Sequence, residues 1–333
     1  MSNNEVKRQH YVPRTYLKHF SHERSGEYFI KAVQKEICQP DKMLELNVTN
    51  VCLQKDLYTL PGNTAEERML LERFYSDNFE THYNQIYKIL INPDKKVLTD
   101  SERELIISTV VTMLYRTTKW INLHNELTDR ALESIFLLCQ QTGKDFYIFE
   151  NEKISIKGKT LEQLKKENKS ESRPAQVLTQ LKVALRLIKL RTERDGIFVS
   201  KLVDGKSEFI TSDNPVIFSN SKKGHVAPFD PENTLKLPLD SQHLLMLMPY
   251  AEEDTKHNIV RRNSSGIMCF TEKLTSNYQQ FCNSERFILG SENALLGYLA
   301  TKEVSEKPLS AEEASGINSH ESYLKKLKDL GLI

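Results

Sequence analysis

The chain has 333 residues, with 46 Lys+Arg against 45 Asp+Glu and a formal net charge of +1. That length buries a core without disulfides or a structural metal, and the balanced charge removes the simplest case for nucleic-acid binding while leaving local basic faces open. The 12 glycines exclude more: the closest two are Gly290 and Gly297, too far apart for the dinucleotide fingerprint, the Walker phosphate loop or the Gly-x-Ser-x-Gly elbow.

From the N-terminus, the block Lys7 to Phe20 crowds rings and cations together, and Pro13 suits the start of a helix that places Tyr16, Leu17 and Phe20 on one face. Tyr28 to Val33 alternates apolar and polar residues as a strand does, with Ile37 opening its return partner. Thr64-Ala65-Glu66-Glu67 and Thr99-Asp100-Ser101-Glu102 have the form of capping boxes. The first leads into a helix carrying Phe79, Tyr83, Ile86 and Leu90. The second leads into an apolar helix through Ile106, Val110, Met113 and Leu114 towards Cys139, and Asn92-Pro93-Asp94 turns between them.

Asn151 to Asp195 holds 12 Lys+Arg against 6 Asp+Glu. Its part from Lys165 to Gln176, with Pro174, reads as a linker; Ala175 to Arg194 reads as a helix burying Leu178, Leu181, Leu185 and Ile188. Lys182, Arg186 and Lys189 share a flank of that helix, a short basic track for a phosphate backbone or simply a solvated face. Beyond it the period changes to that of strands. Ile197 to Val203 and Lys206 to Thr211 flank the hairpin dipeptide Asp204-Gly205, followed by Val216 to Phe218, Leu235 to Leu239, Leu244 to Met248 and a short strand at Met268 to Phe270. Leu274 to Ile288 and Ser310 to Leu330 read as helices. The expected class is α+β, a helical section over 64–194 followed by a mainly antiparallel sheet over 196–290 and a helix over 310–330, within one domain.

Five cysteines without C-x-x-C spacing suggest neither a disulfide framework nor a zinc ribbon. With a polar N-terminus and no apolar run long enough for a membrane span, the expected location is the cytoplasm.

The opening His10-Tyr11-Val12-Pro13-Arg14-Thr15-Tyr16-Leu17 resembles the start of the bacterial family catalogued as domain of unknown function 4238, in which His-Tyr-Val-Pro-Gln-Phe-Tyr-Leu is the hallmark; here Arg14 and Thr15 stand in place of Gln-Phe. The likeness continues through Val48 to Val51, Lys55 to Tyr58, Arg116-Thr117, Phe209 to Val216 with its Ser-Asp-Asn-Pro, Leu237 to Leu239, and the helix around Asn277 and Asn283. The resemblance implies an architecture and a shortlist of residues, without a reaction.

On that shortlist Asp213, at the end of an apolar strand, is the candidate general base or ligand to a divalent cation, and its carboxylate is equally suited to capping the Asn214-Pro215 turn. His10 between Arg8 and Arg14 is the candidate proton carrier, the guanidinium groups and Asn214 holding a phosphate or carboxylate, unless it is a packing residue. Arg116, in an otherwise apolar helix, needs either an anionic ligand or a structural carboxylate such as Asp213. His10, His19 and His22 match no standard metal spacing. Two functions are open: a hydrolase or nuclease-like effector acting on a phosphate-bearing substrate, nucleic acid included, and a non-catalytic recognition module, such as a sensor in a defence or mobile-element locus.

Overall fold

The computed structural model describes residues 5–149, 151–220, 227–249 and 251–306. The N-terminal part comprises β1 (Arg8–His10), α1 (Arg14–Leu17), β2 (His22–Arg24), β3 (Glu27–Gln34), β4 (Leu44–Asn47) and β5 (Leu53–Lys55). Pro13 is the N-cap of α1, and Tyr16, Leu17 and Phe20 are all buried as the spacing predicts. β1 pairs antiparallel with β5, setting His10 opposite Leu53. The return partner of β3 is β4, which starts at Leu44; Ile37 lies in a turn and is exposed, a correction to the expected hairpin.

Both capping boxes form, with Thr64 and Thr99 accepting from the backbones of Glu67 and Glu102. The run expected as one helix after Thr64 is divided into α2 (Ala65–Arg68), α3 (Leu70–Tyr75), a π-helical turn (Ser76–Glu80) and α4 (Tyr83–Ile91). The second apolar run is also two helices, α5 (Asp100–Tyr115) and α6 (Thr118–Thr142), broken at Arg116-Thr117. α5 is buried nearly all round, as Ile106, Ile107, Val110, Val111 and Leu114 show, which makes it the central rod of the core.

A hairpin of β6 (Phe146–Phe149) and β7 (Glu152–Ser155) follows, then α7 (Leu161–Arg194), 34 residues that include Pro174. The expected linker from Lys165 to Gln176 is therefore helix. Pro174 cannot donate to the helical ladder, but tertiary contacts outweigh that loss. Lys165 and Lys169 pair with Glu133 (2.6 Å) and Asp129 (2.7 Å) on α6, and Gln176 donates to Ser172 and to Asn125. The buried face of α7 is Val177, Ala184, Leu187 and Ile188; Leu178 and Leu185 are exposed, so the helix is rotated from the expected orientation. Pro174→Ala restores a backbone donor inside this helix. Its expected effect is a gain of about 1–2 kcal/mol, after allowing for the freer unfolded chain, read as a higher urea midpoint.

The second half supplies β8 (Gly196–Leu202), β9 (Thr211–Ser212), β10 (Ile217–Ser219), β11 (Thr234–Pro238), β12 (His243–Met248), β13 (Ile259–Ser264), α8 (Gly266–Asn283), β14 (Phe287–Gly290) and α9 (Glu292–Glu306). One sheet has the order β10-β11-β12-β8-β13, antiparallel except for β8 with β13; another runs β2-β3-β14-β9 with β4 on β3. The class is α+β, with mainly antiparallel sheets. The Asp204-Gly205 turn forms, Gly205 taking a positive φ of 70°. It does not make a hairpin: the Asp204 carboxylate accepts from Lys206 and Ser207, and the chain departs to join β14 in the other sheet. Met268 to Phe270 lies in α8, not in a strand, and that helix stops at Asn283 so that Phe287 and Ile288 enter β14. The expected helix over 310–330 lies outside the described residues. Among the described residues no helix is long and apolar enough to cross a membrane.

Candidate functional site

The segment carrying Ser212-Asp213-Asn214-Pro215 is clamped against the end of α8 and the start of β14. The Asp213 carboxylate accepts backbone N–H bonds from Glu285 (2.9 Å), Arg286 (2.7 Å) and Phe287 (3.2 Å), and the residue is 2% exposed. Asn214 receives a bond from the Thr117 hydroxyl (2.9 Å) and donates to the Asn283 carbonyl (3.1 Å); Asn283 returns bonds to the carbonyls of Asn214 and Val216. Ser212 donates to Gln280, Gln280 to the Pro215 carbonyl, and Asn277 receives the Ile210 N–H. These bonds satisfy backbone and amide groups that are buried or partly buried, as packing of this segment requires. Asp213, expected as a base or metal ligand, thus has its carboxylate facing three N–H donors in a buried site, and Asn214, expected to bind ligand, is bonded to Thr117 and Asn283; together they form a latch between this segment, α8 and β14. Among the described residues, no three His, Cys, Asp or Glu side chains are grouped to hold a metal ion.

Arg116 stands at the C-terminal end of α5 with 1% exposure. Its partner is Glu80 of the π turn (2.7 Å), not Asp213, and it also donates to the His10 carbonyl (2.5 Å). Its guanidinium lies over the Tyr75 ring at 4.7 Å, and the Tyr58 hydroxyl donates to its carbonyl. A cation so enclosed is structural, and what it fixes is the wall of a cleft.

That cleft, about 440 Å³, is bounded by Arg8 and His10 of β1, Arg14 opening α1, Glu72 and Arg73 of α3, and Glu80 of the π turn. Gln9, between the first two, is buried and holds β1 in place by accepting the Tyr58 N–H at 2.6 Å and donating to Thr59. Strand alternation then turns its neighbours Arg8 and His10 the other way. The π turn brings Ser76, Asp77 and Glu80 to the same cleft; such turns are rare and recur at functional sites.

Electrostatics divides the cleft by role. Burial, reinforced by Arg14 and Arg116, lowers the His10 pKa to about 4 against opposition from Glu80 and a hydrogen bond with the Val48 backbone, so the ring is neutral at pH 7. Its Nε2 is buried and makes no hydrogen bond among the described residues. Burial raises the Glu72 carboxyl to about 7, with Arg116 pulling it down and Glu80 pushing it up, and Glu72 Oε2 is likewise without a partner. Arg8, Arg14 and Arg73 are exposed at the rim, Arg8 donating to Asn50 at 2.8 Å.

The structure thus brings together His10, Arg8 and Arg14, places Arg116 beneath them, and leaves Asp213 and Asn214 in the latch. Lys182, Arg186 and Lys189 are exposed along α7, and none of them lines the cleft. Glu72 and Glu80 were not singled out in the sequence. Their signal was there: both flank the apolar stripe Leu71, Tyr75 and Phe79, where a carboxylate becomes partly buried.

Of the positions that carried the family likeness, His10 and Arg14 line the cleft and Ser212 to Pro215 with Asn277 and Asn283 form the latch, while Leu237 and Leu239 lie in the main core; the Arg116-Thr117 step joins the two places, Arg116 on the cleft and Thr117 on the latch. Comparison with curated proteins and with solved structures finds no match. The family model described as protein of unknown function, DUF4238, matches residues 8–320, and the chain belongs to that family.

Proposed function

We propose that the protein is a hydrolase of a phosphate-bearing substrate, acting through general acid–base chemistry in the His10 cleft. The observation that carries this reading is the pairing, under a rim of three guanidinium groups, of a neutral histidine with an unbonded Nε2 and a carboxyl titrating near 7. Arg8, Arg14 and Arg73 bind the phosphate oxygens. The His10 ring turns its Nε2, buried in the free protein, towards the cleft and takes a proton from the attacking water as the new P–O bond forms. Glu72 in its protonated form gives its proton to the leaving oxygen as the old P–O bond breaks, and solvent returns the proton from His10 to Glu72.

Turnover of p-nitrophenyl phosphate, bis(p-nitrophenyl) phosphate and single-stranded RNA tests the proposal and sorts monoester from diester and nucleic acid. The expected result is activity on at least one of them. His10→Ala and Glu72→Gln each lower kcat by about 100-fold or more, and Arg14→Ala mainly raises KM. Phosphate binding without turnover of any of the three would instead assign the cleft to recognition, the function of a sensor.

A further inference from the structure

A second concavity lies on the opposite kind of surface. The sheet β10-β11-β12-β8-β13 turns Ile197, Val199, Leu235, Leu237, Leu245 and Leu247 into the main core. By the two-residue period its other face carries Phe198, Ser200, Lys236, Leu244 and Met246. Register sets Met246 opposite both Lys236 and Phe198. α8 crosses this face without closing on it, leaving a groove of about 490 Å³ between helix and sheet. Its mouth is apolar and open to solvent, with Met248 47%, Ile267 66% and Met268 50% exposed. Three methionines give the walls a soft, adjustable surface suited to a flexible apolar chain.

The polar groups of the groove are unequally satisfied. Glu272 is fully used: Oε2 accepts from Ser200 (2.6 Å) and Ser264, and Oε1 accepts from Arg262 (2.9 Å), whose guanidinium also lies 5.2 Å from the Phe198 ring centre. Lys236 is not. Its ammonium has three donors and makes one long bond, to Gln279 Oε1 (3.3 Å); among the described residues no carboxylate is in contact with it. Burial lowers its pKa, with Glu272 opposing. A half-buried cation beside an apolar trough has an evident complement, an anionic head group on an apolar tail.

We infer that the groove between α8 and the outer face of this sheet binds an aliphatic carboxylate, its chain lying along Met246, Met248 and Met268 and its head group on Lys236. The site is independent of the His10 cleft. Calorimetric titration of the full-length protein with decanoate is the test. The expected result is one site, about tenfold weaker in Lys236→Met, abolished when Thr275→Trp fills the trough, and unchanged in His10→Ala. 1-Decanol should bind about tenfold more weakly than decanoate, because it lacks the charge. Lys236→Met conserves length and apolar character, and an unchanged urea midpoint confirms its fold. The inference is overturned if decanoate does not bind to wild-type protein, if Lys236→Met binds it as tightly, or if 1-decanol binds as well as the acid.

Discussion

Asp213→Ala is expected to destabilise the fold by about 3 kcal/mol or more, with the denaturant slope unchanged, in urea unfolding followed by circular dichroism. The carboxylate accepts three backbone N–H bonds at the turn between α8 and β14, and alanine offers them nothing. Each buried donor left without a partner costs about 1–3 kcal/mol, which sets the size of the loss. The effect is cooperative in its geometry. The Asp213 N–H donates to the Phe287 carbonyl, and Phe287 returns a bond to the carboxylate, so the two strands are joined at both levels. Asp213→Asn keeps one acceptor oxygen and turns an NH2 towards the remaining donors, so it should fall between wild type and alanine. A wild-type urea midpoint for Asp213→Ala would remove the structural account and return this residue to the list of candidate catalytic groups.

The contrast between Asp213 and His10 shows what a sequence can and cannot disclose about a site. Motif residues stood out because their types are chemically costly to place, and in that sense both places were legible: Ser212 to Pro215 and the His10 block each hold several polar groups in short, otherwise apolar runs. Which of them faces water was not legible, because that depends on partners far away in the chain. Asp213 is answered by residues 285–287, and Arg116 by Glu80, 36 positions back. The elements followed the same rule. Local chemistry placed the capping boxes at Thr64 and Thr99, the strand after Glu27 and the turn at Gly205. It misjudged Pro174, whose helix is held by α6, and the segment after Gly205, whose strand partner β14 lies beyond residue 286. The break between α5 and α6 left no mark in the apolar period. It is nonetheless the junction of the molecule, since Arg116 and Thr117 point to the cleft and the latch in turn.

At the cleft, Glu72→Gln should stabilise the protein at alkaline pH and not at acidic pH. The Glu72 carboxyl rises from 4.5 to about 7 on folding, so between those values the folded state holds a proton that the unfolded state releases. Stability from this group is therefore complete below about pH 4.5 and is lost as pH rises through 7. Above that the charged form costs on the order of 3 kcal/mol, and the neutral amide removes most of the cost. His10 works in the opposite sense. Its pKa falls from 6.5 to about 4 on folding, so the unfolded state takes up the proton first, and the contribution of His10 is present above 6.5 and lost on acidification. The two windows overlap between roughly pH 4.5 and 6.5, where the contributions of these two groups have opposite slopes. Measured from pH 4 to 8.5 and taken relative to the wild type, the urea midpoint should thus fall towards acid for Glu72→Gln and rise towards acid for His10→Gln. Parallel profiles for all three would show that neither group is perturbed and would take away the acid and the base together. If the profiles diverge as stated, the fold is holding a carboxyl half-protonated and an imidazole unprotonated at neutral pH, against their ordinary preferences. Such a cost, kept in an open cleft under three arginines, fits a group retained for proton transfer better than one retained for packing.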